Sequence, residues 1–376
     1  MQSKEMFAGL RVLELASVLA GPSVGQFFAE LGAEVIKVEN PKTGGDVTRS
    51  WKSAGETTDD RSAYFCCCNW GKQSVALDLS QLADLETLKK MVPTMDVVIA
   101  SYKPGDAEKL GVSYEQLKTI NQQLIYGQIT GYGSDDARVG YDAVIQAESG
   151  FMDLNGAKDG PPTKMPVALI DVLAAHQLKE GLLLALLHRE RTKQGGLVEV
   201  SLVQAALSSL ANQATNWLVA NKLPTRQGSA HPNIAPYGDV FETKDHKQIL
   251  LAVGSDRQFE DLMEVLGLSP DGSVRMKPWD LDKFSTNQQR VKNREELNRL
   301  LSGKIQEMHS GDLTSALLAK KIPGGLVQNV KEALAMPMAK EIMLEGDGLK
   351  GVRNFVGKMS FAEVMKELSE PPVLES

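Results

Sequence analysis

The chain is expected to fold as an α/β protein on a Rossmann-like, doubly wound parallel sheet. Short apolar runs of the kind that make buried strands alternate with segments of helical spacing through the first half of the sequence. Glycine-bearing turns join them, and at 376 residues the chain exceeds what one core usually serves. A large sheet domain carrying a smaller inserted α+β domain is therefore expected, with residues 1–222 and 323–376 forming the first and 223–322 the second.

Leu10 to Ala16 is the first strand candidate, AGPSVG the turn after it, Ser23 to Leu31 a helix stopped by Gly32, and Ala33 to Glu39 the second strand. This βαβ outline suits a nucleotide-binding half, with Gly21 and Gly25 at the turn and Glu39 where a ribose contact would lie. The G-x-G-x-x-G spacing is missing, and close helix-on-strand packing accounts for the same glycines without any ligand. A polar loop with Trp51 embedded runs from Lys42 to Arg61. Ser74 to Leu79, Asp96 to Ser101 and Leu124 to Thr130 read as strands, separated by helices at Asp84 to Met91 and Ser113 to Ile120. Tyr141 to Met152 is a further helix. Then come a short strand (Pro166 to Ile170), a long helix (Asp171 to Arg191), a strand (Leu197 to Leu202) and a long, mostly buried helix (Val203 to Ala220). Leu223 to Pro236 has the composition of an interdomain linker. Tyr237 to Thr243 and Gln248 to Gly254 form a hairpin, with helices at Gln258 to Leu266, Arg294 to Glu307 and Leu313 to Lys320, and Ile322 to Val330 returns to the style of the first domain.

Hydrophobic content of 42% and charged content of 24% are ordinary for a soluble globular protein, which places the chain in the cytoplasm in the absence of a signal-peptide pattern. A formal net charge of −7 argues against a nucleic-acid partner. The longest apolar run, GLLLALLH, is too short to span a bilayer, so no membrane association is expected. Cys66, Cys67 and Cys68 are adjacent, lack the spaced pairs of a metal site, and suit a buried strand in a reducing compartment. No metal is expected.

Two motifs offer nucleophiles. Gly21 to Gly25 matches G-x-S-x-G, but a hydrolase elbow follows several strands and here only one precedes Ser23. Asp171, in PPTKMPVALIDVLAAH, is a lone carboxylate between an apolar strand and a helix. It can serve as an N-cap, accepting backbone N–H bonds, or point into a site at the carboxyl end of a strand. Apolar neighbours raise its pKa by desolvation, and the helix N-terminus opposes them.

The segments GLRVLELASVLAGPSVGQFFAELGAEVIKVENP, GDVTRSW, NWGKQSVALDL, GYDAVIQAESG, PPTKMPVALIDVLAAH, GGLVEVSLVQAAL, GSAHPNIAPYG and PGGLVQNV run in order from about residue 9 to 335. Together they resemble the class III CoA-transferases (the CaiB/BaiF type), relatives of formyl-CoA transferase and carnitine CoA-transferase. The resemblance implies Asp171 as nucleophile, forming a mixed anhydride and an aspartyl-CoA thioester while CoA moves from an acyl-CoA donor to a small carboxylic acid. It implies CoA contacts at Val18, Leu19, Ala20, Gly21 and Pro22, at Lys72, and at Ser101, Tyr102 and Lys109. Tyr141 and Asp142 would line the active site. The resemblance further implies that coenzyme A enters as substrate, with no tightly bound cofactor, and that two interlocked subunits form a homodimer.

Leu19 stands where formyl-CoA transferase has glutamine, and the glycine run that lids its site is missing, which points away from formyl or oxalyl groups. His231, with Arg226, is the candidate for a replacement wall able to meet a carboxylate, the alternative for His231 being a solvated histidine of the linker. The rival with the same fold is an α-methylacyl-CoA racemase, which reads GHD where this chain has Tyr141 before Asp142; His176 is a further, less suitable base. A non-catalytic CoA- or nucleotide-binding module is the rival from another class.

Overall fold

The computed structural model describes residues 5–268, 283–346 and 348–374. The chain divides into two compact units, the first made of Met1–Met152, Lys164–Leu223 and Pro337–Ser376, the second of Asp153–Thr163 and Pro224–Met336. The second unit thus takes in a short excursion before Asp171 and runs on past residue 322.

Six strands form the sheet of the first unit: β1 (Arg11–Leu15), β2 (Glu34–Glu39), β3 (Lys72–Ala76), β4 (Val97–Ala100), β5 (Ile125–Thr130) and β6 (Gly196–Ser201). All pair in parallel, in the order β3-β2-β1-β4-β5-β6. Val12 pairs with Val35 on one side and Val97 on the other, so the apolar residues of neighbouring strands form rows. Alternate residues then serve opposite faces. Val12, Val35 and Val97 pack with Phe28 of helix α1 (Ala20–Glu30) and with Leu178 of the long later helix, whereas Leu13, Ile36 and Val98 pack with Leu88 of the helix Leu82–Met91 on the other face. Both faces are covered, as a parallel sheet requires.

The helices between and after these strands are α1, α2 (Ala63–Cys66), α3 (Leu82–Met91), the single turns α4 (Asp106–Lys109) and α5 (Tyr114–Leu117), α6 (Asp142–Glu148), α7 (Phe151–Leu154), α8 (Leu169–Thr192), α9 (Leu202–Ser209) and α10 (Ala211–Leu218). Several departures from the sequence expectation have local causes. Pro166 to Ile170 forms no strand, and α8 starts at Leu169, because Asp142 supplies an acceptor to its first turn. The cysteines lie in no strand: Cys66 ends α2, Cys67 is exposed and Cys68 is buried. Gly150, at φ +89°, separates α6 from α7, and the break between α9 and α10 falls where Ala211, the first residue of α10, takes φ +46°. The last of these helices buries none of its residues, contrary to the expectation of one buried helix from Val203 to Ala220.

In the second unit, β7 (Tyr237–Glu242), β8 (Gln248–Ala252) and β9 (Gly324–Leu326) form an antiparallel sheet. Helices Asp256–Val265, Arg294–Ile305 and Ser310–Ala319 bury Leu262, Leu297, Leu301 and Leu313 against Ile249 and Leu251 of β8. Gly324 and Gly325 do not return to the first domain as expected; they extend this sheet, pairing with Leu251 and Leu250. Among the described residues, no helix is long and apolar enough to cross a membrane.

Candidate active site

Chain crossings reverse direction between β1 and β4, since β2 and β3 lie to one side of β1 and β5 and β6 to the other. Crevices at such a switch point, beyond the carboxyl ends of the strands, are where α/β sheets hold ligands. A cleft of about 240 Å³ occupies that position. Ser17, Val18, Ala20 and Gly21 line it after β1, Ser101 to Pro104 after β4, and Thr130 and Gly131 at the end of β5. The Arg138–Asp142 loop, Leu202 and Asp171 close it.

Asp171 lies in the first turn of α8 and is only 8% exposed. Burial, with the nearby charge of Asp142 adding to it, pushes its carboxyl up to about 7. Neither the N-cap reading nor a structural ion pair describes it, for no hydrogen bond or salt bridge to its side chain exists among the described residues. The cap is Asp142: its Oδ1 accepts the N–H of Ile170 at 2.7 Å, and its Oδ2 accepts from Gln146 Nε2 at 2.7 Å. A carboxylate that is half ionised near neutral pH, dry and unpaired is poised to react rather than to hold the fold together.

The β1–α1 turn is held in an unusual shape. Val18 sits at φ +73°, a conformation that strains a β-branched side chain. Asp46 Oδ1 accepts its N–H at 3.3 Å and the Cys68 thiol donates to its carbonyl at 3.5 Å. Beneath the turn lies a buried set of charges. Lys37 reaches Glu14 (3.0 Å), Asp46 (2.9 Å) and the carbonyl of Ala16 (2.7 Å). Lys72 reaches Glu14 (2.7 Å), Asn69 Oδ1 (2.9 Å) and the carbonyl of Pro22 (2.8 Å). Burial alone would lower the Lys37 ammonium, but Glu14 and Asp46 reverse that and hold it above its ordinary value. Burial would raise the Asp46 carboxyl, and Lys37 brings it below its usual range.

Of the CoA-contact candidates, the cleft thus brings together Val18, Ala20, Gly21, Ser101 and Tyr102 with Tyr141, Asp142 and Asp171. Leu19 and Pro22 share the turn without lining the cleft. Lys72 is fully engaged inside the protein, with its ammonium lowered by burial despite Glu14, and its work is to hold the turn from below. Lys109 is exposed and pairs with Asp106 at 3.0 Å, away from the cleft. His231 and Arg226 belong to the second unit: His231 Nδ1 accepts the N–H of Asn233, and Arg226 binds the carbonyl and carboxylate of Asp153. Ser23 is buried within α1, and His176 is exposed on α8; neither lines the cleft. Glu39 is no ribose ligand, because Arg49 holds both its oxygens, at 2.6 and 2.8 Å. A Cβ on Gly25 would collide with Glu14, and one on Gly21 with Ala16, so close packing is what those glycines serve.

Sequence reasoning misses several groups. Lys103 and Arg138 are the cations on the cleft wall. Arg138 is paired with Asp136 and stacked on Tyr132, while the exposed Lys103 ammonium has no partner among the described residues. The Tyr64 phenol is raised by burial and, next, by the charge of Asp171, which puts it within electrostatic reach of that carboxylate. Trp51 meets Tyr64 edge to face at 5.1 Å. A tryptophan embedded in a polar loop is the one sequence signal for that pair.

Residues 7–365 match the model of CoA-transferase family III. The chain belongs to that family. This CoA-transferase is 37% identical over 346 residues to the succinate–glutarate CoA-transferase of Agrobacterium fabrum, a match covering 90% of this chain and 84% of the relative. It is 32% identical over 381 residues to the succinyl-CoA:glutarate CoA-transferase of Homo sapiens, covering 97% and 83%. Among solved structures, a CaiB/BaiF family protein from Brucella suis superposes with a TM-score of 0.87 at 36% identity, over 98% of this chain and 96% of that one. Members of the family are enzymes acting on acyl-CoA, and the CoA-transferase reads the same way from its cleft: a buried carboxylate at the switch point of a doubly wound sheet.

Proposed function

We propose that the protein moves CoA from a dicarboxylic acyl-CoA, of the succinyl type, to a second dicarboxylic acid of four or five carbons. The observation that carries this reading is Asp171, a buried and unpaired carboxylate facing the cleft; the relatives named for succinate and glutarate supply the substrate class. Asp171 in its ionised form attacks the thioester carbonyl, giving a mixed anhydride and CoA thiolate. The thiolate attacks the aspartyl carbonyl, which forms the aspartyl-CoA thioester and frees the donor acid. The acceptor carboxylate then attacks that thioester, and the thiolate returns to the acceptor carbonyl, regenerating Asp171. Covalent catalysis of this kind divides one slow exchange into easier steps.

Negative charge grows on a carbonyl oxygen in each step. The first N–H groups of α1, at Ala20 and Gly21, lack intrahelical acceptors, lie on the cleft, and suit that oxygen. Lys103 suits an anionic group of the docked ligand, and Arg138 the far carboxylate of a diacid. No histidine lines the cleft, so a racemase's second base is missing there. Leu183, Leu184 and Leu187 on α8, and Trp217 and Leu218 on α10, are exposed apolar side chains in the first unit, which supports a homodimer that covers them.

The test is direct. Incubation with succinyl-CoA alone, followed by hydroxylamine or borohydride and peptide mass spectrometry, should mark Asp171. Tight CoA binding with Asp171 unmodified, and no exchange into glutarate, would leave a binding module instead.

A further inference from the structure

The segment that delivers Asp171 has little of its own to hold it. Met165 and Val167 are exposed, and no strand or helix includes residues 164–168. One side chain from outside grips it. Gln146, on α6 and 1% exposed, accepts the N–H of Met165 on Oε1 at 2.9 Å. Its Nε2 faces the carbonyls of Met165 and Val167, each at 3.4 Å. The same Nε2 donates to Asp142 Oδ2 at 2.7 Å, and Asp142 Oδ1 takes the N–H of Ile170 at 2.7 Å. Apart from bonds within residues 164–170, no other hydrogen bond reaches Met165 or Val167 among the described residues.

Asp142 and Gln146 are four apart on one helix, so their side chains meet on one face. Between them they pin the chain at Met165, Val167 and Ile170, immediately before the nucleophile. At neutral pH an amide meets this need at 146, supplying both the donor for a carboxylate and the acceptor for a backbone N–H, where an ionised glutamate offers acceptors alone. We propose that Gln146 is a positioning residue for catalysis, holding the Met165–Ile170 segment and the Asp142 carboxylate together so that Asp171 enters the cleft in attacking geometry. The inference rests on Asp171 being the nucleophile. A displacement of about 1 Å at such a group costs roughly a hundredfold in rate without touching the substrate.

The test compares the purified wild type with Gln146→Leu and Gln146→Glu, using succinyl-CoA and glutarate. Trapping at Asp171 in the wild type is established first; its failure sinks the parent reading and is distinct from failure of the positioning role. Gln146→Leu should lower kcat by about a hundredfold while leaving KM for succinyl-CoA within threefold. The acid limb of its kcat/KM profile should also move to lower pH, as a loosened segment lets water reach Asp171. A protonated glutamate offers both a donor and an acceptor, so Gln146→Glu should recover activity as pH falls, against the slope of the wild type. A Leu variant with kcat within threefold of wild type would overturn the proposal. So would a loss of kcat with an unmoved acid limb. Should Gln146→Leu fail to fold, the pH slope of Gln146→Glu decides, and a slope parallel to the wild type rejects the role.

Discussion

At the scale of the residue, everything turns on a carboxyl that the fold holds near neutrality. Burial first, and Asp142 second, push Asp171 up to about 7. In the proposed mechanism the attacking form is the anion, so kcat/KM should rise with pH through that value, and at pH 6 about a tenth of the plateau should remain. A pH–rate profile checks this, and a profile flat from pH 5 to 8 would contradict it. The same displacement predicts a stability effect of the opposite sense to an ordinary ion pair. Because the folded state favours the protonated acid, ionising it there costs roughly 4 kcal/mol relative to an unfolded aspartate near 3.9. Stability is lost as pH climbs from the unfolded value through the folded one, and none is lost below pH 4. Asp171→Asn should therefore melt several degrees above the wild type at pH 8 and level with it at pH 4, while exchange falls by at least a thousandfold.

At the scale of the element, the β1–α1 turn explains why two lysines with similar sequence credentials differ. Lys72 follows a tryptophan-glycine pair and opens β3, but its ammonium ends under the turn, on Glu14 and the Pro22 carbonyl. Lys103 follows β4 and stands on the cleft. Lys103→Ala should raise KM for the acyl-CoA about tenfold with little change in melting, and Lys72→Ala should do the reverse, lowering stability by about 3 kcal/mol because it uncovers Glu14. Steady-state kinetics and urea unfolding separate them. Elements of this kind mark how far the sequence can be read. The central strands β1 and β4 are legible because each is a short, largely apolar run buried on both faces, and Asp171 because its local motif is complete. The partners of a buried ammonium depend on chain segments such as Glu14 and Asn69 meeting in space, which periodicity does not encode. Pro166 to Ile170 resembles a strand for the same reason: its apolar content is visible, and the grip of Asp142 and Gln146 from another helix is not, although their spacing is there to be read.

At the scale of the whole molecule, the exposed leucines of α8 and the apolar end of α10 predict self-association. Sedimentation should show a dimer at micromolar concentration, and Leu184→Glu with Leu218→Glu should give monomers; a wild type that sediments as a monomer would reject the homodimer. The charges sealed beneath the β1–α1 turn bear on the enzyme's descent. Glu14, Lys37, Asp46 and Lys72 form two positive and two negative charges enclosed in the first unit. Removing any one strands a charge away from water at about 3 to 5 kcal/mol, yet replacing all of them with fitted apolar residues can be neutral. Lineages carrying this quartet are thus locked in: each single step away from it leads downhill in fitness, so the set should be inherited entire or lost entire, with mixed intermediates rare.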